Sequence, residues 1–145
     1  MKLTLNSSDK CNKLEEISID NLKVIEKYTS LRNIDSCEYS LTTLFMWKKM
    51  YNPHLYIHDH YLIIFEHYEN ECYALMPLCH EEYFVESFEK AVQIFKDIEE
   101  TFEMYCIDHK YANAIREVYS DTYNIIADRS IADYIYLGDA LRQLS

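Results

Sequence analysis

Glycine is almost missing from this sequence, which holds one, Gly138, beside two prolines in 145 residues. Backbone cradles for phosphate need successive N–H groups at glycine-permissive turns, so a Gly-rich nucleotide or acyl-donor loop is excluded. No GxSxG elbow and no Walker loop is present either. Long apolar runs are also missing. The longest uncharged one, Tyr61 to Phe65, falls far short of the ~20 residues a membrane span needs. The first thirty residues mix charge with short apolar runs, which reads as no secretory leader and a soluble, cytoplasmic chain. Basic residues number 14 against 25 acidic ones, a net charge of −11, and the largest basic group is Lys48-Lys49. Phosphate backbones attract clustered Lys and Arg, so direct nucleic-acid binding is not expected. The five cysteines, Cys11, Cys37, Cys72, Cys79 and Cys106, include no CxxC. An odd count without a leader reads as reduced thiols, with Cys37, Cys72 and Cys106 as small core residues.

What is present is a core. Hydrophobic residues make up 49%, fourteen of them tyrosine, enough for one domain that buries roughly two-thirds of its unfolded surface. No repeat or linker divides the chain. Residues 1–13 are polar and expected to be flexible, leaving residues 14–145 as the domain. Ile17 and Ile19 alternate with polar neighbours, as in a strand, and Asp20 is placed to cap a helix with Leu22, Ile25 and Tyr28 on one face. Ser36 and Ser40 are two possible N-caps for a second helix, which carries Leu41, Leu44, Phe45 and Trp47 and stops near Asn52-Pro53.

Three strands are predicted next: Leu55 with Ile57, then Tyr61 to Phe65, then Cys72 to Met76 up to Pro77. Asp59-His60 would form a two-residue turn, both residue types tolerating positive φ. Phe84, Phe88, Ala91, Phe95, Ile98 and Phe102 stand at spacings of four and three, the stripe of one long helix. The opposite face carries Glu86, Glu89, Lys90, Lys96, Asp97, Glu99 and Glu100. Met104 to Ile107 reads as a strand and Tyr111, Ala114, Ile115 and Val118 as a helix. Tyr123 to Ala127 is a further strand, and Ile131 to Leu144 a helix interrupted at Gly138. The fold class is α/β (α+β), with a mixed, mostly antiparallel sheet flanked by helices. That element order is similar to a single acyltransferase domain of the GCN5-related type.

Three stretches carry a family resemblance. Ser36-Cys37-Glu38-Tyr39-Ser40-Leu41-Thr42-Thr43-Leu44-Phe45-Met46-Trp47 resembles an "SE-x-SF-x-NL-x-x-W" helix. Tyr73-Ala74-Leu75-Met76-Pro77 follows the predicted hairpin. Asp128-Arg129-Ser130-Ile131-Ala132-Asp133-Tyr134-Ile135-Tyr136 is similar to a "DR-x-x-x-DYIY" signature, which Gly138 to Leu144 continues. Together, over about residues 15 to 144, they resemble bacterial proteins related to the catalytic C-terminal region of phosphatidylglycerol lysyltransferase. The resemblance implies two acyltransferase-type domains in tandem, as in aminoacyltransferases that use aminoacyl-tRNA. This chain would then be the N-terminal half, with the second domain, usually assigned the donor and acceptor sites, absent.

Little catalytic chemistry is legible. An acyl-CoA site would cradle pyrophosphate at the turn before the long helix. That turn is Pro77-Leu78-Cys79-His80-Glu81-Glu82, with two carboxylates and no glycine where the family often has one near Cys79. No cofactor is therefore expected. His54, His58 and His60 are close in sequence, yet His54 and His58 would stand ~13 Å apart along a strand, so no metal site is expected. Cys79-His80 is a poor thiolate pair, since acidic neighbours raise a thiol pKa. Arg129 with Asp128 and Asp133 is the remaining polar group, read either as a substrate or interdomain contact or as an ion pair before the last helix. Tyr134, Tyr136 and Trp47 either line a cleft or belong to the core. The expected function is a non-catalytic, acyltransferase-like half that packs on a second domain of the same longer protein. The rival is an interaction module that self-associates or binds a separate catalytic partner.

Overall fold

The computed structural model describes residues 14–32 and 36–129. The expected flexible start, the last helix and the residues Asp133, Tyr134 and Tyr136 lie outside that range. One mixed sheet runs β1 (Glu15–Glu16), β2 (His54–Ile57), β3 (Tyr61–Tyr68), β4 (Glu71–Leu75) and β6 (Met104–Tyr105), and β5 (Leu78–Cys79) also pairs with β3. All neighbours are antiparallel except β4 and β6, which are parallel because α4 (Phe84–Asp97) crosses over between them. Helices α1 (Leu22–Thr29), α2 (Leu41–Met46) and α3 (Lys48–Tyr51) lie between β1 and β2 in sequence, and α5 (His109–Tyr119) follows β6. This is the expected class of fold, a mixed sheet flanked by helices.

Residue parity divides the core between two faces. Tyr61, Ile63 and Phe65 of β3 pack with Phe84, Phe88, Ala91, Ile94 and Phe95 of α4 and with Tyr111 and Ile115 of α5. Leu62 and Ile64 pack with Ile25 and Tyr28 of α1 and with Tyr39 and Leu44. The alternation of successive strand side chains puts the two sets on opposite sides.

Several boundaries depart from the predicted ones. The first strand stops before Ile17, and Ile19 lies in a 3-10 turn (Ile19–Asn21) with 77% of its surface exposed. Asp20 is not the cap of α1. Asn21 holds that position, and its side chain accepts the Ser18 N–H at 2.9 Å. Both serines that offered caps are used. Ser36 starts the 3-10 turn Cys37–Tyr39, and Ser40 starts α2 by accepting from the Thr43 N–H at 3.1 Å. Cys37 is exposed, not a core residue, and Cys106 is half-buried.

The hairpin turn at Asp59-His60 exists, closed by the His58 N–H bonding to the Tyr61 carbonyl at 2.9 Å, but neither central residue takes positive φ. The long helix ends at Asp97, one turn before Phe102. Glu99 adopts φ 59°, its N–H bonds to Lys96 O and that of Glu100 to Phe95 O, the five-to-two and six-to-one pair of a Schellman stop. Phe102 still reaches the core, edge-on to Phe88 and Phe95. Val118 faces solvent. The buried face of α5 is Tyr111, Ala112 and Ile115. Tyr123 to Ala127 is not a strand: it is chain without a ladder, and Tyr123 and Ile125 pack on the Phe-rich face.

A β-bulge at Pro77 had no counterpart among the predicted elements. The register of β3 on β4 pairs Phe65 with Ala74, whereas β3 on β5 pairs Leu62 with Leu78. One extra residue on the outer strand is therefore inserted between Ala74 and Leu78. Side-chain phase flips across it. Met76 and Cys79 share the Phe-rich face, while Leu75 and Leu78 share the other. Proline has no N–H to give the ladder, so the break falls there.

Candidate functional site

The parallel pair β4 and β6 brings two strand carboxyl ends side by side, where open sheets place ligand crevices. Here the bulge turns the last two carbonyls of that end away from the ladder, and the protein's own donors take both. The buried Tyr39 hydroxyl donates to Met76 O at 3.0 Å. Arg32, just past α1, donates from Nη1 to Pro77 O at 3.2 Å and from Nη2 to the Asp108 carboxylate at 2.6 Å. Its guanidinium lies 4.3 Å from the centre of the Tyr111 ring, and only 10% of its side chain is exposed. Burial holds the Tyr39 hydroxyl pKa well above the ordinary tyrosine range, so Tyr39 is a neutral donor, not a base.

The turn from Pro77 to Glu82 carries acidic side chains. Glu81 and Glu82 are exposed in the turn that opens α4, and Lys110 spends its charge on Glu81. None of the described left-handed residues, Asn52, Glu69, Glu99, Cys106 and Ser120, falls between Pro77 and Glu82, so the backbone there forms no nest of N–H groups.

A second polar group was missed from sequence. Glu66 follows Leu62 and Ile64 on the same face of β3, and only 5% of it is exposed. Its cross-strand partner is Tyr73, whose hydroxyl donates to Glu66 Oε2 at 3.0 Å. Burial pushes the Glu66 carboxyl up to about 7; the Tyr73 bond opposes the shift and the nearby charge of Glu38 adds to it. The available signal was a glutamate in phase with Leu62 and Ile64.

The grouping of Arg129 with Asp133, Tyr134 and Tyr136 lies largely outside the described residues. Arg129 is exposed, at the end of the segment that follows α5. Its expected companions Asp133, Tyr134 and Tyr136 lie outside the described residues. Trp47 is 46% exposed and meets Tyr51 edge-on at 6.4 Å, so it is not a core residue. His58 and His60 have ring centres 5.7 Å apart, and His60 instead stacks flat on Tyr83 at 4.2 Å. Among the described residues, no three His, Cys, Asp or Glu side chains converge on a metal position. Cys79 is buried beside Ser87, and its thiol is raised first by burial, not by acidic neighbours as expected. Burial pushes Cys72 up to about 12. Neither is a thiolate at neutral pH. No helix among the described residues is long and apolar enough to cross a membrane.

One solved structure shares this architecture. A crystal structure of a conserved protein of unknown function from Bacteroides thetaiotaomicron superposes with a TM-score of 0.83 at 19% identity. The match covers 92% of this chain and 45% of that one, so the chain spans less than half of that protein's length. At such identity the likeness concerns the fold alone. No curated protein matches the chain. The family model of the phosphatidylglycerol lysyltransferase C-terminal region matches residues 29–145, from the end of α1 through the segment that carries Asp128-Arg129. On a match that covers most of its length, the chain belongs to the family of the phosphatidylglycerol lysyltransferase C-terminal region.

Proposed function

We propose that this domain is a non-catalytic, acyltransferase-like N-terminal half of an aminoacyl- or acyltransferase-like protein, packed against a second domain and helping to shape its substrate groove. The observation that carries the reading is the occupied strand end. Tyr39 and Arg32 cap the Met76 and Pro77 carbonyls, and acidic side chains stand at the turn where a donor's phosphates would need N–H groups. Such a site offers no positioned nucleophile and no electrostatic support for a developing oxyanion. The fold match to less than half of a longer protein supports the two-domain part of the reading. The test is acyl and aminoacyl transfer by the isolated chain, cytoplasmic in this reading, across several donors. The expected rate equals the uncatalysed background, and turnover above it that is lost on heating would overturn the proposal.

A second reading, self-association or binding of a separate partner, is favoured by one patch. Met46 is 70% exposed, and Trp47 and Met50 are about half exposed on the same short helical pair. Light scattering over a concentration series decides between the two. A strict monomer at all concentrations argues against self-association, and a dimer abolished by Trp47→Ala argues for it.

A further inference from the structure

A row of aromatic side chains crosses the sheet on the face of Leu62, Ile64 and Leu75. Tyr68 continues that parity along β3, and Tyr105 of β6 pairs with Leu75. Trp47 meets Tyr51 of α3 edge-on at 6.4 Å, and Tyr51 packs on Tyr68 at 5.4 Å. Tyr73 of β4 is the diagonal neighbour of Tyr68 in the register, within reach of side chains of that size. Tyr105 then packs edge-on to Tyr73 at 4.8 Å. The row is open to solvent: Trp47 is 46% exposed, Tyr68 42% and Tyr105 39%, and Met50 of α3 is about half exposed. Each strand tyrosine has a carboxylate next to it. Tyr73 donates to Glu66, Tyr105 donates to Glu103 at 3.3 Å, and the exposed Glu71 stands directly opposite Tyr68. Against these, α2, α3, β3, β4 and β6 hold two lysines and no arginine. Lys48 spends its charge on Glu16 and the Ile17 carbonyl, and Lys49 is in solvent.

We propose that this tyrosine shelf docks a separate protein through a basic segment bearing arginine and lysine. The proposal deepens the second reading and rests on it, choosing a different protein over a second copy. Exposed Trp, Tyr and Met are the residue types that interfaces concentrate. A row of half-open rings suits an extended segment laid along it, whereas a small molecule is held by enclosure. Ring faces attract guanidinium and ammonium groups, and a carboxylate beside each strand tyrosine completes a site for such a cation. The chain as a whole carries −11, so its field draws a basic partner and repels an acidic one. A second copy brings the same −11. An isologous contact through the shelf would also press the two sets of carboxylates together.

Titration of the whole chain with a short arginine-rich peptide tests this, against the same peptide carrying neutral citrulline in place of arginine. Trp47, the single tryptophan, reports binding by its emission. The arginine peptide should bind saturably in the micromolar range, and the citrulline peptide at least ~10-fold more weakly. Tyr68→Ser and Tyr105→Ser should each weaken binding by about 2- to 5-fold. Glu71→Gln combined with Glu103→Gln should weaken it by about 10-fold. Glu82→Gln combined with Glu117→Gln removes the same charge at exposed positions elsewhere, and should change it by less than ~2-fold. The Tm of each variant, measured alongside, separates weakened docking from misfolding. An equal loss in the two glutamate pairs would mean attraction to net charge alone and would overturn the proposal. Equal binding of the citrulline peptide would overturn it and leave the second reading standing, as would a dimer in light scattering that Trp47→Ala abolishes. A strict monomer that binds neither peptide would remove both.

Discussion

The two faces of the sheet solve the same packing problem with different chemistry. Toward α4 and α5 the core is aromatic: Phe65, Phe84, Phe88, Phe95 and Phe102 meet in tilted and edge-to-face pairs, and its buried polar side chain, Ser87, donates to Phe84 O. Toward α1 and α2 the core is aliphatic and carries Tyr39, Glu66 and Tyr73, with the Arg32 clamp at its rim. The first face is a source of stability. The second holds Tyr39 and Arg32, the two side chains that cap the Met76 and Pro77 carbonyls.

Mutations should divide along the same line. The largest loss is expected from Phe88→Ala, whose ring touches Phe84, Phe102, Tyr119 and Tyr123. About 3–5 kcal/mol is expected in chemical denaturation, enough to leave a marginal domain largely unfolded. On the other face, Glu66→Gln should stabilise, and only at higher pH. The folded carboxyl titrates near 7 against an ordinary 4.5. A raised value means the folded state holds its proton more tightly, so stability is full below pH 4.5 and erodes as the pH climbs to 7. The variant should therefore match the parent at pH 4.5 and exceed it at pH 8 by on the order of 2–3 kcal/mol. Equal pH profiles would remove the buried-charge account.

Arg32→Met keeps the stem but loses the Pro77 bond, the Asp108 pair and the stacking on Tyr111. Asp108 is well exposed, so the cost should be near ~1–2 kcal/mol, less than for a fully buried pair. A smaller change of opposite sign is expected from Glu99→Gly. Glutamate holds φ 59° at the end of α4, and glycine there should add about 0.5–1 kcal/mol, read as a higher Tm. Lys110→Ala, which removes the exposed pair with Glu81, should leave Tm unchanged within error.

The sequence made one face far more legible than the other. The Phe84–Phe102 spacing exposed α4 and its core stripe because phenylalanines repeating at helical period mark a helix face that must be buried. Ser36 and Ser40 disclosed two caps because serine oxygens at those positions have one good use. The bulge was hidden, since a proline after a strand looks the same whether the strand ends or skips a residue. Tyr123–Ala127 misled for the converse reason. Alternation records which side chains face the core, and a segment can do so without pairing to a ladder. At the strand end, Arg32 and Tyr39 lie 45 and 37 residues from the carbonyls they cap, and no local pattern announces a partner so distant. The glycine-free loop was readable and pointed the same way. Glu66 was missed, although it stands at inward parity in β3, and its partner Tyr73 follows only from the register of β4.

If the strand end is occupied by the protein itself, the chain has no room there for an acyl donor, and calorimetric titration with acyl-CoA tests that most directly. With Tyr39 and Arg32 in place and Glu81 and Glu82 at the turn, no saturable heat is expected up to millimolar ligand. Saturable micromolar binding, abolished by a substitution in the Pro77–Glu82 turn, would contradict the self-occupied strand end and restore a donor site to this half.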